Sequence, residues 1–258
     1  MSQSRRRFMR IAGAGAVASA FALDIDARAA VPPRFRAIAF DAFPILDPRP
    51  IAAIAEKLFP GRGPALMDSW RTRQFEYSWL RSVSHRYVDF WRVTEDALVF
   101  AASVLELPLD ASARQRLMDA YLDLRAWPDV VPALTALHEA GVRLAFLSNL
   151  TRAMLEAPMK NSGIEQLFTH VLSTDMVQSF KPDPRAYALA LDAFGLPREE
   201  ILFAPFAGWD AAGARWFGYP TFWVNRLHAV PEQLGVSVDG SGADLAALVN
   251  FVLPSGGR

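Results

Sequence analysis

A small set of polar residues in this 258-residue sequence follows successive apolar runs, at the points where strands would end: Asp41, Ser148, Asn149, Lys181 and Asp210. A carboxylate can attack an electrophilic carbon, an ammonium group can keep that carboxylate ionised and aimed, and a second carboxylate can handle water. Each of these residues alone also fits a helix cap or a solvated loop. Their occurrence at four strand ends in succession indicates a site for nucleophilic chemistry.

The elements that must position these residues alternate along the chain. Short apolar runs predict strands at 35–40, 142–147, 170–173, 200–204 and 221–224. Helical patterns lie between them, at 132–140, 151–162, 184–194 and 211–217. Such alternation is typical of a parallel sheet with helices on both faces, in which ligands bind beyond the carboxyl ends of the strands. We therefore expect the polar residues to meet at one edge of an α/β sheet.

The segment from about 51 to 124 breaks this alternation. Its pattern is helical throughout, and its aromatic residues recur at three- and four-residue intervals: Trp70, Phe75, Tyr77, Trp79, Tyr87, Phe90 and Trp91. This pattern predicts an all-α cap inserted after the first strand. The predicted organisation is a helical cap at 51–125 and an α/β core formed by 31–50 and 126–258.

Composition excludes several classes of function. The 27 basic residues balance the 27 acidic ones, whereas a protein that binds nucleic acid through bulk electrostatics usually carries a basic excess. The absence of cysteine excludes disulfides, thiolate metal sites and cysteine nucleophiles. The four histidines show no spacing typical of metal ligands. We predict no nucleic-acid partner and no zinc site.

The first 30 residues resemble an export leader. Arg5 and Arg6 precede an aromatic residue, the apolar run 11–23 follows, and a small-x-small cleavage site ends at Ala29. This run is shorter than the ~20 apolar residues that a membrane span needs. The arginine pair resembles the twin-arginine signal, which predicts a signal peptide at 1–30, the twin-arginine export machinery as a partner and a periplasmic mature protein. The alternatives are a basic amphipathic tail or a retained anchor, and a cytoplasmic protein if the leader is not functional.

Four motifs follow the order found in the haloacid dehalogenase (HAD) superfamily. They are Phe40-Asp41-Ala42-Phe43-Pro44-Ile45-Leu46-Asp47, Leu147-Ser148-Asn149, Phe180-Lys181-Pro182-Asp183 and Gly208-Trp209-Asp210-Ala211-Ala212-Gly213-Ala214. The cap sequence is similar as well, and within the superfamily the chain most resembles the type II (S)-2-haloacid dehalogenases. The resemblance covers nearly all of the chain after the leader. It implies a HAD-like, Rossmann-like α/β core with a parallel sheet and an inserted all-α cap.

The resemblance also implies a reaction, namely hydrolytic dehalogenation of a small 2-haloacid without a metal ion or organic cofactor. Asp41 would attack the halogen-bearing carbon to form an ester that water then cleaves. Lys181 would orient Asp41, Asp210 would position the water, and Arg71 of the cap would receive the departing halide. The residues implied for substrate or halide binding are Ser148, Asn149, Phe43, Phe90, Tyr187 and Trp209. A homodimer is left open.

Departures from the family pattern remove a polar contact at three positions. Ile45 stands where the family usually has threonine, while Pro205 and Ala207 replace the serine and asparagine that help to hold Lys181 and the hydrolytic water. The loss of one positioned polar contact commonly costs ~1–3 kcal/mol, or roughly ten- to a hundredfold in rate. Attack by Asp41 is compatible with these changes, but we expect the ester to turn over slowly or the substrate to differ.

Two other functions are open. The first is an exported, catalytically degenerate protein of the same fold that binds a small carboxylate. The second is a HAD phosphatase, which needs a second aspartate two positions after the nucleophile to act as general acid. That position is Phe43, so a phosphatase would require Asp47 or another acid as a substitute.

The leader hypothesis predicts that Arg5→Lys combined with Arg6→Lys traps the precursor in the cytoplasm, because the export machinery recognises the arginine pair. Cell fractionation measures this, with Arg28→Lys as a control outside the pair. Unchanged periplasmic accumulation of the double variant would contradict the hypothesis.

Overall fold

A computed structural model describes residues 33–253, so the predicted leader lies outside the described residues. Its centre is a four-stranded parallel sheet in the order β3-β2-β1-β4. The strands are β1 (Ala37–Phe40), β2 (Arg143–Ser148), β3 (His170–Ser173) and β4 (Ile201–Ala204). The order places β1, which directly precedes the predicted nucleophile Asp41, between β2, which ends at Ser148, and β4, which precedes the Asp210 motif. The predicted α/β fold with a parallel sheet is confirmed.

A second pair of strands continues this architecture. A single parallel bridge joins Phe203 of β4 to Thr221, just before β5 (Phe222–Val224), and β5 pairs in parallel with β6 (Gly240–Gly242). Sequence patterns do not predict β6, because its Gly-Ser-Gly sequence has little intrinsic preference for a strand. Pairing with the apolar β5 creates it.

Of the five helices between β1 and β2, the first four form the segment predicted as the cap. They are α1 (Arg49–Leu58), α2 (Gly63–Val83), α3 (Phe90–Val104) and α4 (Ala111–Asp119). Asp89 and Asp110 begin α3 and α4, since each carboxylate accepts a hydrogen bond from a backbone N–H of the first turn. The helical stretch that the sequence predicts is therefore divided by turns.

Buried hydrogen bonds fix α2 against α3. The Trp70 indole donates to the Thr94 carbonyl at 2.8 Å, and the Gln74 amide donates to the Thr94 hydroxyl at 2.9 Å and to the Tyr121 hydroxyl at 3.0 Å. All four side chains are buried. Because these buried polar groups hydrogen-bond to one another, the cost of removing them from water is offset while the network fixes the long helix α2 against α3.

The remaining helices cover both faces of the sheet. They are α5 (Val130–Glu139), α6 (Arg152–Ser162), α7 (Pro184–Phe194), α8 (Gly208–Phe217) and α9 (Leu245–Val252). Alternate strand residues enter separate apolar cores: Ile38, Phe40 and Phe146 pack with α5, α6 and α9, whereas Ala39 and Phe203 pack with α7 and α8. Burial on both faces explains why the strands are continuously apolar.

Helix α8 begins at Gly208, three residues before the predicted start. Its preceding residue, Ala207, has no side chain that could cap the first turn. The early start places Trp209 and Asp210 in that first turn, where the positive end of the helix dipole stabilises a carboxylate. Among residues 33–253, no helix is long and apolar enough to cross a membrane.

Candidate active site

Asp41 follows β1 at the carboxyl edge of the sheet, and its backbone N–H continues the ladder by donating to Ala204 at 3.1 Å. Its Oδ1 accepts hydrogen bonds from Lys181 Nζ at 3.0 Å and from Ser148 Oγ at 3.2 Å. Its Oδ2 receives a longer hydrogen bond, 3.4 Å, from the Phe43 N–H. The Asp41 side chain is 15 % exposed, so a small molecule can reach this carboxylate. Oδ2 is its more weakly hydrogen-bonded oxygen.

Lys181 lies between two carboxylates. Its Nζ is 3.0 Å from Asp41 Oδ1 and 2.7 Å from Asp210 Oδ2, and its side chain is only 1 % exposed. Burial alone would lower the pKa of Lys181, but the charges of Asp210 and Asp41 outweigh burial and raise it. Lys181 is therefore an ammonium ion at neutral pH, fixed against the candidate nucleophile.

Asp210 is completely buried behind this ammonium group. Tyr187 donates a hydrogen bond from its hydroxyl to Asp210 Oδ1 at 2.7 Å. Burial, followed by the charge of Asp210, raises the pKa of Tyr187 well above its usual value, so the phenol remains a donor. Burial raises the pKa of Asp210 to about 6; the Lys181 charge counteracts burial, while the Asp41 charge adds to it. A carboxyl with a pKa near neutrality is suited to accept a proton.

Ser148 is the last residue of β2, and Asn149 follows it. Ser148 directs its hydroxyl to Asp41, as described above. Asn149 uses its side-chain carbonyl oxygen to accept a hydrogen bond from the Lys181 backbone N–H at 2.9 Å and one from the Thr174 hydroxyl at 3.3 Å. Its amide nitrogen has no protein partner among residues 33–253 and can serve an anion. Asn149 thus links the strand edge to the loop that carries Lys181.

Helix α2 contributes one face to the site. Phe75 and Trp79 contact Trp209 of α8, with ring centroids 5.0 Å and 5.6 Å apart. At 3.6 residues per turn, positions 71, 75, 79 and 82 fall within an arc of about 80°. Arg71, whose side chain is exposed, therefore lies on the face of α2 that meets α8.

Two further predicted residues lie at the margins. Phe43 is half-buried and packs edge-on against Phe206, with centroids 5.8 Å apart. Phe90 is buried at the start of α3 and packs edge-on against Phe180, with centroids 6.0 Å apart.

The structure therefore brings one group of predicted residues into a single hydrogen-bonded network: Asp41, Ser148, Asn149, Lys181, Tyr187 and Asp210. Phe43 adjoins this network through its N–H, and Trp209 is next to Asp210 in the chain. Arg71 and Phe90 make no hydrogen bond to it. The roles assigned to individual residues stay predictions.

Sequence analysis missed the groups that hold the turn after Asp41. The Trp127 indole donates to the Phe43 carbonyl at 3.0 Å, and the Arg226 guanidinium donates to the Pro44 carbonyl at 2.7 Å and pairs with Asp129 at 3.0 Å. Arg226 comes two residues after β5, so a search for polar residues just beyond each predicted strand would have identified it as a candidate. Trp127 carries no comparable signal.

The three residues that replace polar residues of the family pattern are apolar, and none of them is fully exposed. Ile45 and Pro205 are buried and Ala207 is half-buried. Among residues 33–253, no group of three or more histidine, aspartate or glutamate side chains is arranged to hold a metal ion. The chemistry that this site can support is attack by Asp41 assisted by Lys181, with Asp210 as a proton acceptor.

Comparison with known proteins agrees with this arrangement. The family model for haloacid dehalogenase-like hydrolases matches residues 25–218. The chain is 42% identical over 224 residues to an (S)-2-haloacid dehalogenase of Pseudomonas sp. (strain YL), covering 86% of this chain and 97% of the relative.

Solved structures give the same result. The crystal structure of the L-2-haloacid dehalogenase RSc1362 is 47% identical, with a TM-score of 0.83, and covers 84% of this chain and 98% of that one. The L-2-haloacid dehalogenase from Xanthobacter autotrophicus with chloropropionic acid covalently bound is 32% identical, with a TM-score of 0.78 and the same coverage.

The packing of Tyr187 gives a testable expectation. A Cβ atom at Gly213 would lie 2.5 Å from the Tyr187 hydroxyl and 2.9 Å from Pro182 Cβ, so Gly213→Ala should overpack the site and lower the free energy of unfolding by ~1–3 kcal/mol. In combination with Tyr187→Phe, which removes the closest atom, the loss should be smaller than the sum of the two single losses. Urea denaturation measures all three variants, and additive losses would contradict the contact.

Proposed function

Because the chain belongs to the haloacid dehalogenase-like hydrolase family, we propose that it hydrolyses the carbon–halogen bond of short (S)-2-haloalkanoic acids through an ester on Asp41. The observation that carries the proposal is the Asp41 carboxylate, with Oδ1 fixed by Lys181 and Ser148 and Oδ2 more weakly bonded. The substrate class is that of the similar dehalogenases, whose length the chain covers almost completely.

In the first half-reaction, Asp41 Oδ2 attacks the substrate carbon from the side opposite the halogen. The new C–O bond forms while the carbon–halogen bond breaks, the halide leaves with the bonding electrons, and the configuration inverts. Arg71 receives the halide, because a guanidinium offers a permanent charge and several donors to a developing anion. The Asn149 amide assists, and the Ser148 hydroxyl turns from Asp41 to the substrate carboxylate.

In the second half-reaction, water attacks the ester carbonyl carbon of Asp41. Asp210 accepts a proton of that water and returns it to the substrate oxygen as the bond between Asp41 Cγ and that oxygen breaks. A 2-hydroxy acid leaves, and the second proton of the water passes to solvent as the Asp41 carboxylate is restored. Lys181 stabilises the charge that develops on the carbonyl oxygen. Ile45, Pro205 and Ala207 offer this water no side-chain hydrogen bond, so we propose that ester hydrolysis is the slower half.

The same apolar replacements favour one rival function, a protein that binds a small carboxylate without turning it over. Measurement of halide release separates the two. The phosphatase branch has no support of this kind, because the position of its general acid is occupied by Phe43.

We also propose that the mature protein acts in the periplasm after twin-arginine export, on the strength of the arginine pair and the apolar run of the leader. The homodimer stays a prediction.

The pKa of Asp210 sets an expected pH dependence. The proton acceptor must be ionised, and with a pKa of about 6 its ionised fraction falls about tenfold between pH 7 and pH 5. Ester hydrolysis should slow by the same factor over that range, while halide release in the first turnover, which uses no base, should change less. Rapid-quench measurement of both steps tests this, and pH-independent ester hydrolysis would contradict the role of Asp210.

A slow second half-reaction predicts a burst. With (S)-2-chloropropionate and EDTA present, about one equivalent of halide per active site should appear rapidly, before a slow steady state. Mass spectrometry of the quenched enzyme should find the adduct on the peptide that contains Asp41. Asp41→Asn should abolish both burst and adduct, whereas Ala207→Asn should quicken the steady state more than the burst.

The controls decide between the functions. Undiminished halide release by Asp41→Ala would defeat the mechanism, and 2-haloacid binding without any halide release would favour the carboxylate-binding protein. Hydrolysis of a phosphate ester restored by magnesium would assign the chain to the phosphatase branch.

A further inference from the structure

The loop that carries Lys181 is held from two sides. On the core side, the Lys181 backbone N–H donates to the Asn149 side chain at 2.9 Å. On the cap side, the preceding N–H, that of Phe180, donates to the hydroxyl of Ser82 at the end of α2 at 3.1 Å. Two successive N–H groups thus bind the cap and the core: that of Phe180 binds the cap, and that of Lys181, whose ammonium group contacts Asp41, binds the core.

Tyr87, in the turn between α2 and α3, makes a second contact from the cap. Its hydroxyl donates to the Asp175 carboxylate, near the beginning of the same loop, and its ring lies 5.0 Å from that of Phe180. Burial raises the pKa of both Tyr87 and Asp175, so the phenol stays protonated as the donor. A hydrogen bond to a carboxylate that is partly removed from water is stronger than one on the open surface.

From these contacts we propose that Ser82 and Tyr87 are positioning residues that couple the docking of the cap to the placement of the Lys181 ammonium group. The inference rests on the proposed function, in which that ammonium group orients Asp41. Neither residue touches the reacting atoms. They act through the 174–183 loop, which they hold at Asp175 and at Phe180.

Helix α2 extends this coupling to the second carboxylate. Phe75 and Trp79 pack against Trp209, the residue before Asp210, and Ser82 lies on the same face about 10 Å further along the helix axis than Phe75. A single rigid element therefore contacts both the loop that carries Lys181 and the helix that carries Asp210. Small displacements matter at such a site, because misplacement by about 1 Å can cost a hundredfold in rate.

The test uses Ser82→Ala and Tyr87→Phe, each with a matched control on the cap. Ser84→Ala removes a hydroxyl whose one hydrogen bond among residues 33–253 is to the Leu80 carbonyl of α2, and Tyr77→Phe alters a tyrosine that packs against Phe100. The rate constant of the halide burst should fall about tenfold in each test variant, with little change in the KM for (S)-2-chloropropionate, and should be unchanged in both controls. Ser82→Thr, which keeps the hydroxyl, should recover most of the rate.

The split between burst rate and KM separates positioning of the ammonium group from weaker binding of the substrate. A raised KM with an unchanged burst rate, or an equal fall of the burst rate in the test and control variants, would overturn the proposal.

Hydrogen–deuterium exchange provides a measurement that does not depend on activity. The amides of residues 174–183 should exchange faster in both test variants and at the wild-type rate in the controls. Equal exchange in all proteins would overturn the positioning proposal and leave the proposed function intact. If the wild type releases no halide, the proposed function fails, and faster loop exchange in the test variants still supports the coupling of cap and loop.

Discussion

The structure of the site depends on one buried charge, the Lys181 ammonium group between Asp41 and Asp210. Removing such an ion from water costs several kcal/mol, and only close opposite charges with good geometry can offset that cost. Here the two carboxylates stand at 3.0 Å and 2.7 Å, and Tyr187 satisfies the far oxygen of Asp210. Lys181 is the indispensable member, since its removal would leave two neighbouring carboxylates without a cation, whereas removal of either carboxylate leaves a one-to-one ion pair.

This constraint also explains why the sequence reveals the core of the site so directly. The three charged residues follow three different strands. Because these strands run parallel, their carboxyl ends lie at the same edge of the sheet. Asp41, Ser148, Lys181 and Asp210 could therefore be predicted from apolar runs and the residues that follow them. The start of α8 could not, because Ala207 and Gly208 give no helix-start signal, and neither could β6, which exists only through its partner strand.

Sequence patterns also could not predict the contacts between the cap and the core. Ser82 and Tyr87 are ordinary residues at the end of a helix and in a turn, and only the packed structure shows that they meet the loop of Lys181. The turn after the nucleophile is similar. Its carbonyl groups are satisfied by Trp127 and Arg226, which lie far away in the chain, so the shape of the turn does not depend on a hydroxyl at position 45. The turn can hold Asp41 even though Ile45 offers no polar group.

Helix α2 also limits how the length of the chain can vary. A single residue inserted between positions 75 and 82 would rotate the helix beyond it by about 100° and advance it by about 1.5 Å. Ser82 would leave the face that meets the core, while Trp70, anchored to Thr94, would hold the first half of the helix in place. Insertions and deletions should therefore be excluded from the segment 71–82, where the helix sets the spacing between its contacts on both sides of the site.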